Sequence, residues 1–132
     1  MPNKQNMLEQ AQAVMQNAYS PYSKFKVGCC IRTDKNNYYA GCNVECASYS
    51  ITSCAESSAI CQMVSAGETN IAEVLIISTG ETPCPPCGAC RQYIREFASD
   101  DTPIHCYGQN GESMTMTLGA LLPASFGGTH FI

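Results

Sequence analysis

The sequence predicts an α/β sandwich, a mixed sheet covered by helices on both faces. Segments with helical spacing of apolar residues alternate along the chain with strand-like runs. The chain of 132 residues is 45% hydrophobic and only 14% charged, which suits one domain built around one core. Neither repeats, linkers nor low-complexity stretches break it, so residues 1–132 read as a single domain. Met7, Leu8, Ala11, Val14, Met15 and Ala18 recur at helical spacing and predict a first helix that ends before Ser20-Pro21. Phe25, Val27, Cys29 and Ile31 alternate as in a strand, and Asp34-Lys35-Asn36-Asn37 turns the chain into a partner strand over Tyr38 to Val44. A second helix is predicted from Cys54 to Ala66, with Gly67 as its stop. The apolar run Ile71 to Ile77 has the length of a buried strand. A third helix over Gly88 to Phe97 and a strand over Ile104 to Tyr107 follow. Gln109-Asn110-Gly111 is a turn, Met114 to Leu118 suits strand or helix, and Leu121-Leu122-Pro123 closes a short helix.

Charge and hydropathy exclude several functions. The net charge of -4 argues against a nucleic-acid or anionic-membrane binder, which would need a basic patch. No run approaches the ~18 apolar residues of a membrane span, and Met1-Pro2-Asn3-Lys4-Gln5 has no apolar signal core. The expectation is a cytoplasmic protein with reduced thiols.

Its ten cysteines therefore need another account than a disulfide scaffold. Cys29, Cys30, Cys61 and Cys106 lie in apolar runs, where a thiol serves as a small hydrophobe. The segment Thr82-Pro83-Cys84-Pro85-Pro86-Cys87-Gly88-Ala89-Cys90 points instead to metal or redox chemistry, and metal is favoured because a redox Cys-x-x-Cys normally sits near a thioredoxin-like N-terminal strand. Cys54 begins one predicted helix and Cys87 the next, and helix N-termini stabilise thiolates. Cys54, Cys87 and Cys90 would thus reach one point, and three protein ligands leave a zinc ion the open position of a catalytic site. A closed structural site would recruit a fourth ligand such as Cys84. His105 and His130 lack ligand spacing and read as ordinary strand and tail residues.

Pro-Cys-x-x-Cys occurs twice, so Cys84 and Cys90 compete to pair with Cys87. The two prolines between Cys84 and Cys87 remove backbone donors, whereas Gly88-Ala89 keeps them and opens a helix. That favours Cys87 with Cys90. Glu56, two residues from Cys54, is placed to shuttle protons for a water activated at the metal.

These residues resemble the three-cysteine form of the zinc deaminase signature. More narrowly, the chain is similar to the small homotetrameric cytidine deaminases. The resemblance runs through Tyr19-Ser20-Pro21-Tyr22-Ser23-Lys24-Phe25, Gly41-Cys42-Asn43-Val44-Glu45, Cys54-Ala55-Glu56, Pro86-Cys87-Gly88-Ala89-Cys90-Arg91-Gln92 and Leu121-Leu122-Pro123 with Phe126-Gly127. It implies a three-layer α/β/α sandwich with a five-stranded mixed sheet. It also implies hydrolytic deamination of free cytidine and deoxycytidine in pyrimidine salvage, with one zinc per chain on Cys54, Cys87 and Cys90. In this reading Glu56 protonates N3 of the pyrimidine and then the leaving amine, and Asn43 and Glu45 bind the ribose 3′-hydroxyl. Phe25 and Phe126 pack against the base, the Ala55 N–H meets the base carbonyl, and Tyr49 is lent across a subunit interface of a homotetramer. The partners are a nucleoside and water, with neither nucleic acid nor membrane; another aminopyrimidine nucleoside is the alternative substrate, and a structural zinc module the alternative role. Two positions depart from the pattern. Ser57 stands where many relatives carry an arginine that offsets thiolate charge, leaving Arg91 and Lys24 as candidates for that task. Pro85 stands where a small hydroxyl residue is usual, although its carbonyl can still meet the leaving amine.

Overall fold

A five-stranded mixed sheet in the order β2-β1-β3-β4-β5 forms the middle layer of the computed structural model, which describes residues 2–131. The strands are β1 (Val27–Thr33), β2 (Tyr38–Cys42), β3 (Ile71–Ser78), β4 (Pro103–Tyr107) and β5 (Ser113–Thr117). Only β3 and β4 run parallel; β1 is antiparallel to both its neighbours, and β5 to β4. Helix α1 (Pro2–Met15) covers one face. Helices α2 (Ala55–Ser65) and α3 (Gly88–Arg95) cover the other, and the short α4 (Leu118–Leu121) follows β5.

The sandwich has two cores. Met7, Ala11 and Met15 of α1 pack on Cys30, Leu75 and Ile77. On the opposite face Ile60 and Met63 of α2 and Ile94 of α3 pack on Cys29, Ile31, Ile76 and Ile104. Because β1 is sandwiched, Cys29, Cys30 and Ile31 are all fully buried in succession. Two glycines let the layers approach this closely. A Cβ at Gly28 would lie 2.1 Å from the Ala11 carbonyl oxygen of α1, and one at Gly41 2.4 Å from the Ala59 nitrogen of α2.

The predicted elements hold with local corrections. The first helix stops at Met15, and Asn17 and Ala18 close it with turn hydrogen bonds to Val14 and Met15. Phe25 precedes β1 rather than lying in it. The partner strand ends at Cys42, so Asn43 to Glu45 run in an irregular segment pinned by bridges of Val44 to Tyr19 and Ser53. Segment 113–117 is a strand, with Met114 and Met116 turned toward the core and Thr115 exposed. Cys29, Cys30 and Cys106 are buried as expected, and burial pushes the Cys30 thiol up to about 12 and Cys106 to about 11. Cys61 is exposed, contrary to expectation. It follows the buried Ile60 by one residue, and ~100° of helix rotation turns it outward.

His105 joins a partly buried ion-pair network on the α1 side of the sheet. Glu73 accepts a hydrogen bond from Arg32 Nε at 3.0 Å and lies 2.6 Å from His105 Nε2, while His105 Nδ1 meets the Thr115 hydroxyl at 2.8 Å. Burial opposes ionisation of Glu73, but hydrogen bonds from His105 and Arg32 outweigh it and hold the carboxyl below its usual range. The contribution to stability is therefore present above the ordinary carboxylate range and lost as pH falls through the depressed value. Glu73→Ala is expected to cost about 1–2 kcal/mol at neutral pH, since it leaves the partly buried Arg32 guanidinium and the His105 ring without their shared acceptor. Urea unfolding should show that difference shrinking in acid.

Candidate active site

Two helix N-termini bring the three predicted cysteines together. Cys54 is the N-cap of α2, Cys87 the N-cap of α3, and Cys90 lies in the first turn of α3. Their sulfurs all lie within 4.8 Å of one another, the separation at which one zinc bonded to each at about 2.3 Å bridges all three. Among the described residues no other three metal-ligating side chains converge in this way; Cys84, His105 and His130 stand outside the group. Cys87 and Cys90 therefore both lie adjacent to Cys54, as the second of the two Pro-Cys-x-x-Cys registers requires.

Thiol chemistry matches a soft divalent cation. Cys54 accepts a hydrogen bond from Cys90, which outweighs burial and, helped by Cys87, lowers its pKa to about 6. Cys90, as the donor and the more deeply buried partner, is pushed upward. Glu56 follows in the first turn of α2 and is only 5% exposed. Burial raises its pKa to about 7; its own backbone N–H opposes the shift, and the charge of Cys54 adds to it. A carboxyl at that value both holds and releases a proton near neutral pH.

Glu56, Cys54 and Cys87 line a cavity of about 300 Å³, together with Asn43 and Glu45 and an apolar wall that includes Phe25. Ala55 lines it too, and as the first residue of α2 it carries an N–H without an intrahelical partner. Asn43 is anchored by its amide: Oδ1 accepts from Val27 N at 2.9 Å, and Nδ2 donates to the Phe25 carbonyl at 2.8 Å. Glu45 Oε1 accepts from the backbone N–H of Tyr22 (3.0 Å) and Ser23 (3.1 Å), and Oε2 accepts from the Ser23 hydroxyl. The Ser23 hydrogen bond holds the Glu45 carboxyl below its usual range against the effect of burial.

Two predicted residues are not brought into this cavity. Tyr49 lies in a 3-10 turn (Tyr49–Ile51) and is 76% exposed. Phe126 is 55% exposed, stacks on His130 with ring centroids 5.3 Å apart, and meets the edge of Phe131. Ser57 donates to the Cys54 carbonyl at 2.9 Å rather than to a thiolate. Arg91 is occupied by the carbonyls of Pro86 and Leu121, at 2.8 and 2.9 Å. The Lys24 charge adds a small further pull that helps hold the Glu45 carboxyl down. Sequence reasoning missed Ser23 and Thr52 as cavity residues. The available signal for Ser23 was its place two residues before Phe25 in the first family block.

Residues 1–106 match the family model described as the cytidine and deoxycytidylate deaminase zinc-binding region. The chain belongs to this deaminase family. It is 42% identical over 117 residues to a cytidine deaminase of Mycoplasma pneumoniae, covering 87% of each chain. A cytidine deaminase of Sporosarcina psychrophila is 35% identical over 122 residues, 92% of this chain and 90% of the relative. The crystal structure of cytidine deaminase from Burkholderia pseudomallei superposes with a TM-score of 0.88 at 35% identity, covering 92% of this chain and 98% of that one. The deaminase sandwich expected from the sequence is thus the observed fold, and the protein is an enzyme of the deaminase family. No helix among the described residues is long and apolar enough to cross a membrane.

Proposed function

We propose that this enzyme hydrolyses free cytidine and deoxycytidine to uridine and deoxyuridine, consuming water and releasing ammonia, in cytoplasmic pyrimidine salvage. The observation that carries the reading is the buried Glu56 beside the converging sulfurs of Cys54, Cys87 and Cys90, at a cavity that suits a nucleoside. The three sulfurs would hold one zinc per chain. Zinc held there would supply the Lewis acidity that makes water nucleophilic near neutral pH.

The chain's own groups do the rest. Glu56 takes one proton from the attacking water and places it on N3 of the base, then takes the second from the new C4 hydroxyl and passes it to the amino nitrogen, which departs as ammonia. The Ala55 N–H orients the base through its carbonyl, and the Pro85 carbonyl at the cavity wall accepts from the amine. Phe25 packs against the base. Asn43 and Glu45 take the ribose 3′-hydroxyl, using the amide hydrogen and carboxylate lone pair that their protein contacts leave free. The exposed Tyr49 and Phe126 would complete the sites of neighbouring copies in a homotetramer, since both leave aromatic surface open to a partner.

Cytidine absorbance should fall with stoichiometric ammonia release, stop when a chelator strips the protein, and return with zinc. Cytosine and cytidine monophosphate should react far more slowly, the first for want of a sugar and the second because Glu45 repels its phosphate. Glu45→Ala should lower kcat/KM for cytidine by roughly 10–100-fold without changing zinc content. Comparable rates on all three substrates would remove Glu45 from the sugar.

A further inference from the structure

We infer that Ser23 is a positioning residue for nucleoside binding: its hydroxyl ties the carboxylate of Glu45 to the backbone of Phe25, so that the sugar-side and base-side walls of the cavity are held as one unit. This rests on the reading that Glu45 meets the ribose 3′-hydroxyl.

The hydroxyl has one proton, and Glu45 Oε2 takes it. Ser23 Oγ in turn accepts from the Phe25 N–H at 3.0 Å. Phe25 is held a second time from the opposite side, since its carbonyl accepts from Asn43 Nδ2 at 2.8 Å. The segment Tyr22 to Phe25 and the segment Asn43 to Glu45 are therefore stitched together through side chains on both, with Ser23 as the junction. Lys24 between them makes this possible. It adopts the left-handed conformation at φ 62, unfavourable for a residue with a Cβ, and its N–H is fixed to the Ser20 carbonyl at 3.0 Å. That reversal turns the chain so that Ser23 and Phe25 both reach the cavity.

The arrangement also sets how many ligand hydroxyls Glu45 can serve. A carboxylate has about four lone-pair directions. Backbone N–H groups of Tyr22 and Ser23 occupy those of Oε1, and the Ser23 hydroxyl occupies one on Oε2. One remains, which suits a single sugar hydroxyl. Without the Ser23 hydroxyl, Oε2 loses its charge-assisted partner and the Phe25 N–H loses its acceptor. The carboxylate is then free to turn, and binding suffers rather than chemistry. Ser23 is itself exposed in the chain, so its truncation leaves both cores intact.

The test is a kinetic cycle on the zinc-loaded enzyme with Ser23→Ala, Ser23→Thr, Glu45→Gln and the double variant Ser23→Ala/Glu45→Gln. Each is assayed on cytidine and on 3′-deoxycytidine, with zinc content and urea unfolding measured in parallel. Ser23→Ala should raise KM for cytidine about tenfold with kcat within about twofold, and Ser23→Thr should restore it. The KM penalty should shrink to about twofold or less on 3′-deoxycytidine and in the Glu45→Gln background. If Glu45→Gln discriminates the two substrates but Ser23→Ala leaves KM unchanged or acts additively with it, the inference about Ser23 is overturned and the sugar reading stands. If Glu45→Gln affects both substrates equally, the sugar reading fails and this inference falls with it.

Discussion

Glu56→Gln is expected to lower kcat for cytidine by about 10²–10⁴-fold or more, while zinc and fold are retained. Glutamine keeps the size of the side chain and an acceptor for the backbone N–H, yet it can neither take up nor release a proton near neutral pH. The native carboxyl is buried and raised to about 7, so it is poised for both transfers. The sign for stability is opposite to that for activity. An acid whose folded pKa is raised loses stability progressively as pH climbs from its ordinary unfolded range to the folded value of about 7, and the penalty is largest above it, where the ionised form must be buried. Metal-free Glu56→Gln should therefore be at least as stable as the native protein at pH 8, measured by urea unfolding. A fully active, zinc-loaded Glu56→Gln would exclude Glu56 from proton transfer.

Cys87→Ser and Cys90→Ser should each lose both zinc and activity, whereas Cys84→Ser should keep both. The first two remove sulfurs from a trio within 4.8 Å, and a serine hydroxyl is a poor ligand beside two thiolates. Cys84 lines the cavity but stands outside the trio; burial raises its thiol, whose sulfur makes a weak contact with the Pro85 carbonyl at 3.7 Å. Metal analysis of the purified variants decides it. The native protein should carry one zinc per chain. Loss of zinc in Cys84→Ser would mean a closed four-thiolate site, and the catalytic reading would fall.

Where interactions are local, the chain was legible from its residues. The cysteines proved readable because their decisive features span a few positions. Cys87 and Cys90 are one helical turn apart, and Gly88-Ala89 supplies the backbone donors that Pro85-Pro86 lack. Cys54 likewise announces itself as an N-cap with Glu56 in the following turn. The run Cys29 to Ile31 was harder. Alternation suggests a strand buried on one face, but α1 and α2 cover both, and this follows only from packing between distant segments. Segment 113–117 was ambiguous until β4 offered it a hydrogen-bonding partner from Pro103 to Tyr107.

The sequence by itself determined the helix-capping thiols, the carboxylate beside them and the alternation of helices and strands, since these depend on spacings of two to four residues. Only the tertiary structure decided that Cys54 meets Cys87 and Cys90 across more than thirty residues of chain, that Cys61 faces outward, and that Tyr49 and Phe126 stay outside their own cavity. It also decided that Ser23 binds Glu45, a contact between residues 22 positions apart. Such contacts are set by how the layers pack and where β1 and β3 leave the sheet, and no periodicity along the chain encodes a distance between segments that pair through a third.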